Sequence, residues 1–193
     1  MSVLVDQLST EELEQRGALL KGHFQLSSGL HSDRYVQCAQ LFKDTRFAEE
    51  LGRRLAKIVP AKADVVVSPA MGGLFIGHET AKALDLPHIF TERADGVMTL
   101  RRGFTVEHGA RFLVVEDVLT TGKSTREVIE VLVEEGAIPV GALSVINRGV
   151  DAEVLGVPVA SLLKLELASF KPESCPLCKQ GTPAVKPGSR PKP

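Results

Sequence analysis

The sequence is short of the features that mark several broad functional classes. It has no excess of either charge: 23 basic against 24 acidic side chains leave a formal net charge of -1. A general binder of nucleic acid or of anionic membrane surfaces carries a basic surplus, so neither is expected as a partner, although a local basic cluster can still face a small anion. No apolar run approaches the roughly 20 residues needed to span a bilayer. Met1 to Asp6 lacks a basic start followed by an apolar stretch, so no secretory signal is read there. Cysteine is scarce as well. There are three, two of them in the unit Cys175-Pro176-Leu177-Cys178, and these do not make a disulfide framework. A cytoplasmic, reducing compartment fits these absences.

What is present is an ordinary globular composition, 44% hydrophobic and 24% charged. The 193 residues suffice for one well-filled core with an appended element. Ser9 and Glu12 have capping-box spacing, which predicts a helix carrying Leu13, Leu19 and Leu20 with Gly22 as its stop. His23 to Gln37 reads as short extended pieces around the turn Ser27-Ser28-Gly29. Asp44 caps a second helix to about Ile58, with Phe47, Leu51, Leu55 and Ile58 on one face. Beyond it, strand-like runs at 65–67, 88–91, 111–115, 139–146 and 157–165 alternate with helical stretches at 72–84 and 124–135. Uniformly apolar strands separated by helices imply parallel pairing in an open α/β sheet. Met98 to Val106 breaks the rhythm and reads as a hairpin or mobile flap around Arg101-Arg102-Gly103. Six of the 11 prolines fall in the last 23 residues, where an irregular tail is expected.

One segment carries the chemistry: Phe112-Leu113-Val114-Val115-Glu116-Asp117-Val118-Leu119-Thr120-Thr121-Gly122-Lys123-Ser124-Thr125. A buried strand ends in two carboxylates and passes through a hydroxyl-rich loop into a helix. Ligands of open α/β sheets bind at such strand ends, and a helix N-terminus suits a phosphate monoester. Gly122 lets the backbone come close, while Thr120, Thr121 and Ser124 or Thr125 add hydroxyl donors. Gly122-Lys123-Ser124 invites a triphosphatase reading, but a P-loop needs glycine where Asp117 stands. A carboxylate there repels a polyphosphate. The acidic pair instead suits the vicinal hydroxyls of a ribose, a bound Mg²⁺ or a developing positive charge. The plainer alternative is a buried strand with a polar capping loop.

The arrangement resembles the phosphoribosyl pyrophosphate (PRPP) motif of the type I phosphoribosyltransferases. Over nearly its whole length the sequence is similar to the orotate phosphoribosyltransferases of that family. The resemblance implies a phosphoribosyltransferase domain over residues 1–171, with a hood from about 1–40, and a Pro-rich Cys-x-x-Cys tail over 172–193. It implies transfer of the 5-phosphoribosyl group from PRPP to orotate, with Mg²⁺, in a homodimer. Glu116 and Asp117 take the ribose hydroxyls and Val118, Leu119, Thr120, Thr121, Gly122, Lys123 and Ser124 surround the 5-phosphate. Val67-Ser68-Pro69-Ala70-Met71-Gly72-Gly73 matches the pyrophosphate loop, assigning Met71, Gly72 and Gly73 to PRPP, although a glycine pair at a helix start is also routine packing. Gly22 to Tyr35 resembles the hood, with Tyr35 near orotate; a turn between two strands explains it equally well. Arg148, in Asn147-Arg148-Gly149, matches the arginine that pairs with the orotate carboxylate, where a solvated surface charge is the plainer reading. Thr120 matches a position that also reaches orotate. Magnesium is held mainly by PRPP and water, with no direct protein ligand assigned.

The pattern departs from the family in the flap. Arg93 keeps its start, but the lysines are absent, leaving Arg101, Arg102 and His108 as basic candidates, the first two with catalytic roles. Ser27 stands where many relatives carry lysine. Cys175 and Cys178 have the spacing of half a zinc site, but no second pair lies nearby in sequence and Cys38 is alone; a metal-free turn is expected. A purine phosphoribosyltransferase and a non-catalytic PRPP sensor are the rival readings.

Overall fold

The local signals become elements in the order in which they occur. In the computed structural model, which describes residues 7–26 and 28–187, Ser9 starts α1 (Thr10–Gln15). Its hydroxyl accepts from the Glu12 backbone N–H and the Glu12 carboxylate accepts from the Ser9 N–H, both at 3.1 Å. The helix is shorter than the spacing predicts. Gly17 takes a φ of 68°, and Leu19, Leu20 and Gly22 belong to β1 (Leu19–Gln25), which pairs antiparallel with β2 (His31–Val36) as the hood hairpin. The readings of Met1 to Asp6, of Ser27 and of Gly188-Ser189-Arg190 lie outside the described residues. After α2 (Ala39–Phe42), Asp44 caps α3 (Thr45–Ala56) by accepting from the Phe47 N–H at 3.2 Å, and Phe47, Leu51 and Leu55 are buried.

The remaining elements are β3 (Val65–Pro69), α4 (Gly73–Leu84), β4 (His88–Ala94), β5 (Val97–Leu100), β6 (Arg111–Leu119), α5 (Lys123–Glu134), β7 (Ile138–Asn147), α6 (Ala152–Leu155), β8 (Val159–Lys164) and α7 (Pro176–Lys179). The six-stranded sheet runs β5-β4-β3-β6-β7-β8, parallel throughout except for β4–β5. Period-two alternation builds a core on each face. Val66, Leu113 and Val115 join Leu51, Leu55 and Ile76 of α3 and α4; Val65, Val67, Phe112 and Val114 join Val128, Ile129 and Leu132 of α5. This double burial is why the strands read as continuous apolar runs. No helix among the described residues is long and apolar enough to cross a membrane.

Three local expectations are corrected. The hairpin turn falls at Asp95-Gly96, whose φ values of 51° and 86° suit a two-residue hairpin turn, so the fourth strand extends past Thr91 to Ala94. Arg101-Arg102-Gly103 forms a separate turn, in which the Phe104 N–H donates to the Arg101 carbonyl at 3.1 Å. β6 continues four residues beyond Val115, because β7 still offers partners as far as Asn147, opposite Leu119.

The tail is irregular, with one 3-10 turn (Pro172–Ser174) before α7, yet it is tied down. His31 and Phe170 exchange both backbone hydrogen bonds at 2.8 Å. The Val185 N–H donates to His23 O, and the Gln25 N–H donates to Val185 O, each at 2.8 Å. Cys175 is completely buried.

Candidate active site

β3, β6 and β7 are neighbours in the sheet and point the same way, so their C-terminal ends deliver three loops to one rim. The loop after β6 turns into α5 through Gly122, at a φ of 73°. A Cβ there would also come within 2.9 Å of Leu155 Cδ2, so both the left-handed backbone and the close side chain favour glycine. The turn leaves a small hollow of about 50 Å³, lined by Glu116 and by residues from Val118 to Thr125 at the N-terminus of the 12-residue α5. The Thr125 hydroxyl is buried there without a hydrogen-bond partner among the described residues. An anion in the hollow would meet the first turn of α5 and the positive end of its helix dipole. Lys123 is directed elsewhere, 3.9 Å from Glu127.

The two carboxylates sit at the end of β6, inside the strand rather than after it. Burial pushes Glu116 well above the usual carboxylate range, and the neighbouring Asp117 charge adds to the effect. One Glu116 oxygen, Oε2, is buried with no partner among the described residues. Asp117 is raised by burial too, opposed by the Val118 N–H, which donates to its Oδ1 at 2.8 Å. The loop after β3 lies directly against this pair. A Cβ on Gly72 would stand 2.7 Å from Asp117 Oδ1, and one on Gly73 would stand 2.8 Å from Val115 O and 3.2 Å from Glu116 Oε2. Glycine at both positions is what allows the approach. Met71, beside them, is 76% exposed.

A larger cleft of about 680 Å³ opens between this rim and the hood, lined by Tyr35 and Arg34 on one side and Asp117, Thr120, Thr121 and Arg148 on the other. Arg148 follows β7, and its backbone N–H donates to Leu119 O at 2.8 Å. The Asn147 side chain holds the turn: its Oδ1 accepts from the Gly149 and Val150 N–H groups at 2.9 and 2.8 Å, and its Nδ2 donates to Val150 O at 2.7 Å. Arg148 is half-buried, and burial lowers its pKa below the ordinary arginine value. Its Nε is buried without a partner among the described residues. Asn147 as the organiser of this turn, and the cleft-lining Arg34, Cys38 and Lys186, were not singled out by the sequence reading. Arg34 lies within the hood stretch and could have been found; Lys186 comes from the tail and had no local signal.

The flap arginines are not brought into this cleft. Arg93 pairs with Glu127 and donates to Gly96 O at 2.9 Å, while Arg101 and Arg102 pair with Glu92 at 3.7 and 2.9 Å. His108 packs against Gly136, just before β7, and so lies at the opposite end of the sheet. Glu116, Asp117, Gly72, Gly73, Tyr35, Arg148 and the loop Val118 to Ser124 do converge on the rim and its two hollows.

The phosphoribosyl transferase domain family matches residues 38–173. The orotate phosphoribosyltransferase of Thermotoga maritima is 54% identical over 182 residues, covering 93% of this chain and 97% of its own. That of Pelotomaculum thermopropionicum is 50% identical over 178 residues, covering 92% and 94%. The crystal structure of orotate phosphoribosyltransferase from Aeropyrum pernix superposes with a TM-score of 0.69 at 30% identity, over 80% of this chain and 92% of that one. The chain belongs to the phosphoribosyltransferase family and, within it, to the orotate phosphoribosyltransferases.

Proposed function

We propose that the chain transfers the 5-phosphoribosyl group of PRPP to N1 of orotate, releasing pyrophosphate and orotidine 5-monophosphate. The observation that carries the acceptor assignment is Arg148, which lines the cleft with a half-buried guanidinium whose Nε has no hydrogen-bond partner among the described residues. A planar guanidinium bonds a carboxylate through two parallel hydrogen bonds, and orotate carries one. A purine base offers single ring or carbonyl acceptors but no carboxylate to take both hydrogen bonds of the fork at once.

The C1–O bond to pyrophosphate breaks ahead of attack, so the ribose becomes oxocarbenium-like as N1 closes from the opposite face with inversion. Little covalent work falls to the protein; positioning and electrostatics dominate. Residues Thr120 to Ser124 hold the 5-phosphate at the start of α5. Glu116 and Asp117 accept from the ribose hydroxyls and favour positive charge on the ring. Gly72 and Gly73 offer backbone N–H groups to the pyrophosphate. Tyr35 and Thr120 border the base. Magnesium would fit as an ion held mainly by PRPP and water oxygens: the Glu116 oxygen that has no partner among the described residues could accept from its water shell, and the bound ion would neutralise the pyrophosphate charge.

The proposal extends to assembly and location. Arg93, Arg101 and Arg102 pair away from their own cleft, which suits a flap acting on the cleft of a second copy in a homodimer. A cytoplasmic location suits a chain with three unpaired cysteines. The catalytic domain then spans residues 1–171, with 172–193 as a Pro-rich tail. The test is a panel of orotate, adenine, hypoxanthine and xanthine with PRPP and Mg²⁺, scored by pyrophosphate release. Turnover with orotate alone is expected. Turnover with a purine overturns the acceptor, and PRPP binding without turnover on any base overturns the activity.

A further inference from the structure

His23, His31, Cys175 and Cys178 come together where the hood meets the tail, and we infer that they form a structural Cys₂His₂ zinc site. Their ligand atoms, one per residue, all lie within 4.8 Å of one another, and all but Cys178 are buried. The sequence reading found only half of this set because the other half lies about 150 positions away. β1 supplies His23 and β2 supplies His31 across the hairpin. The turn Cys175-Pro176-Leu177-Cys178 supplies two sulfurs at a spacing of three, which one helical turn places on the same side.

The distances match tetrahedral coordination. With Zn–S near 2.3 Å and Zn–N near 2.05 Å, a tetrahedron has N···S edges of about 3.5 Å and an N···N edge of about 3.3 Å. The Cys175 Sγ–His23 Nε2, Cys178 Sγ–His23 Nε2 and Cys178 Sγ–His31 Nδ1 separations are 3.5, 3.8 and 3.3 Å. The two imidazole nitrogens are 2.8 Å apart and need to spread only slightly to admit the ion. A histidine pair sharing one proton accounts for that last contact, but it does not explain two sulfurs converging on the same nitrogens.

The surroundings also prepare His23 as a ligand. Its Nδ1 lies 2.6 Å from the carbonyl oxygen of Thr182. A carbonyl only accepts, so Nδ1 carries the proton and Nε2 presents its lone pair to the cluster, the outer-shell arrangement typical of metal-bound imidazole. A set with no oxygen ligand disfavours Mg²⁺ or Ca²⁺ and suits a softer ion of tetrahedral preference. Four protein ligands leave no open position, so the role is structural. The site would rivet the tail to the hood, and Lys186 of the tail and Tyr35 of the hood line the same cleft. On the orotate reading, the ion therefore fixes the roof of the acceptor site without touching substrate.

The test uses the full-length, untagged protein, dialysed against metal-free buffer, with elemental analysis against protein concentration. About one zinc per chain is expected. Cobalt substitution should give the visible spectrum of a tetrahedral, thiolate-ligated ion, and Cys178→Ser, which changes the one exposed ligand, should abolish both zinc retention and the thiolate band. Zinc below about a fifth of an equivalent in wild-type protein after incubation with zinc overturns the site. So does a Cys175–Cys178 disulfide in the intact-chain mass, or full zinc retention in a His31→Ala, Cys178→Ser double variant. None of these readouts depends on turnover, so failure of the orotate assignment leaves them interpretable.

Discussion

Arg148→Ala tests the acceptor assignment most directly. In the wild type its backbone N–H bonds Leu119 O at 2.8 Å, and Asn147 anchors the turn, so truncation beyond Cβ leaves the loop's own hydrogen bonds in place. What disappears is a half-buried guanidinium with one nitrogen unpartnered among the described residues. Hydrogen bonds to charged groups contribute about 1.5–3 kcal/mol each; a paired contact at a half-exposed site is taken as about 2–3 kcal/mol in all. That corresponds to a loss of about 30- to 160-fold in kcat/KM for orotate. Initial rates with each substrate varied separately should show the loss on orotate, with the KM for PRPP moving less than about threefold. Arg148→Lys keeps the charge but not the fork and should recover only part of the loss. A fall below about threefold for orotate, or an equal rise in the KM for PRPP, refutes the assignment.

Asp117→Asn is nearly isosteric and keeps an acceptor for the Val118 N–H, so the fold should survive while kcat falls about 100-fold or more; near-wild-type turnover with an unchanged melting temperature rejects a role for the Asp117 charge. A pH prediction comes from His88, whose pKa is lowered to about 4 by burial and secondarily by nearby His78. The folded imidazole stays neutral while the unfolded one takes up a proton near pH 6.5, so stability is level above that value and declines as pH falls from about 6.5 to about 4. Melting temperatures across this window should fall less steeply in His88→Gln, which keeps a polar partner for the Ser68 hydroxyl at 3.1 Å in the wild type; parallel slopes in the two proteins reject His88 as the source.

Local signals made much of this protein legible from sequence alone. The cap at Ser9, the apolar face of α3, the doubly buried strands and the strand–acid–acid–loop–helix segment all depend on residues within a few positions of one another. Periodicity and capping act over that range. Asp117, at the spacing where a P-loop needs glycine, excludes that loop from local sequence alone. Local chemistry misplaced α1 and β6 where neighbours decided the outcome: β6 runs on to Leu119 because β7 keeps supplying partners, and Leu19 and Leu20 become strand because β2 pairs with them.

Tertiary structure alone settled what depends on distant residues meeting. It set Arg148 on a cleft roofed by Tyr35, and turned Arg101 and Arg102 toward Glu92 instead. It also brought His23 and His31 to Cys175 and Cys178. No pattern along the chain encodes that last encounter. It follows from the His31–Phe170 and Phe24–Val185 bridges, which fold the tail back across the hood and set two halves of a ligand set face to face.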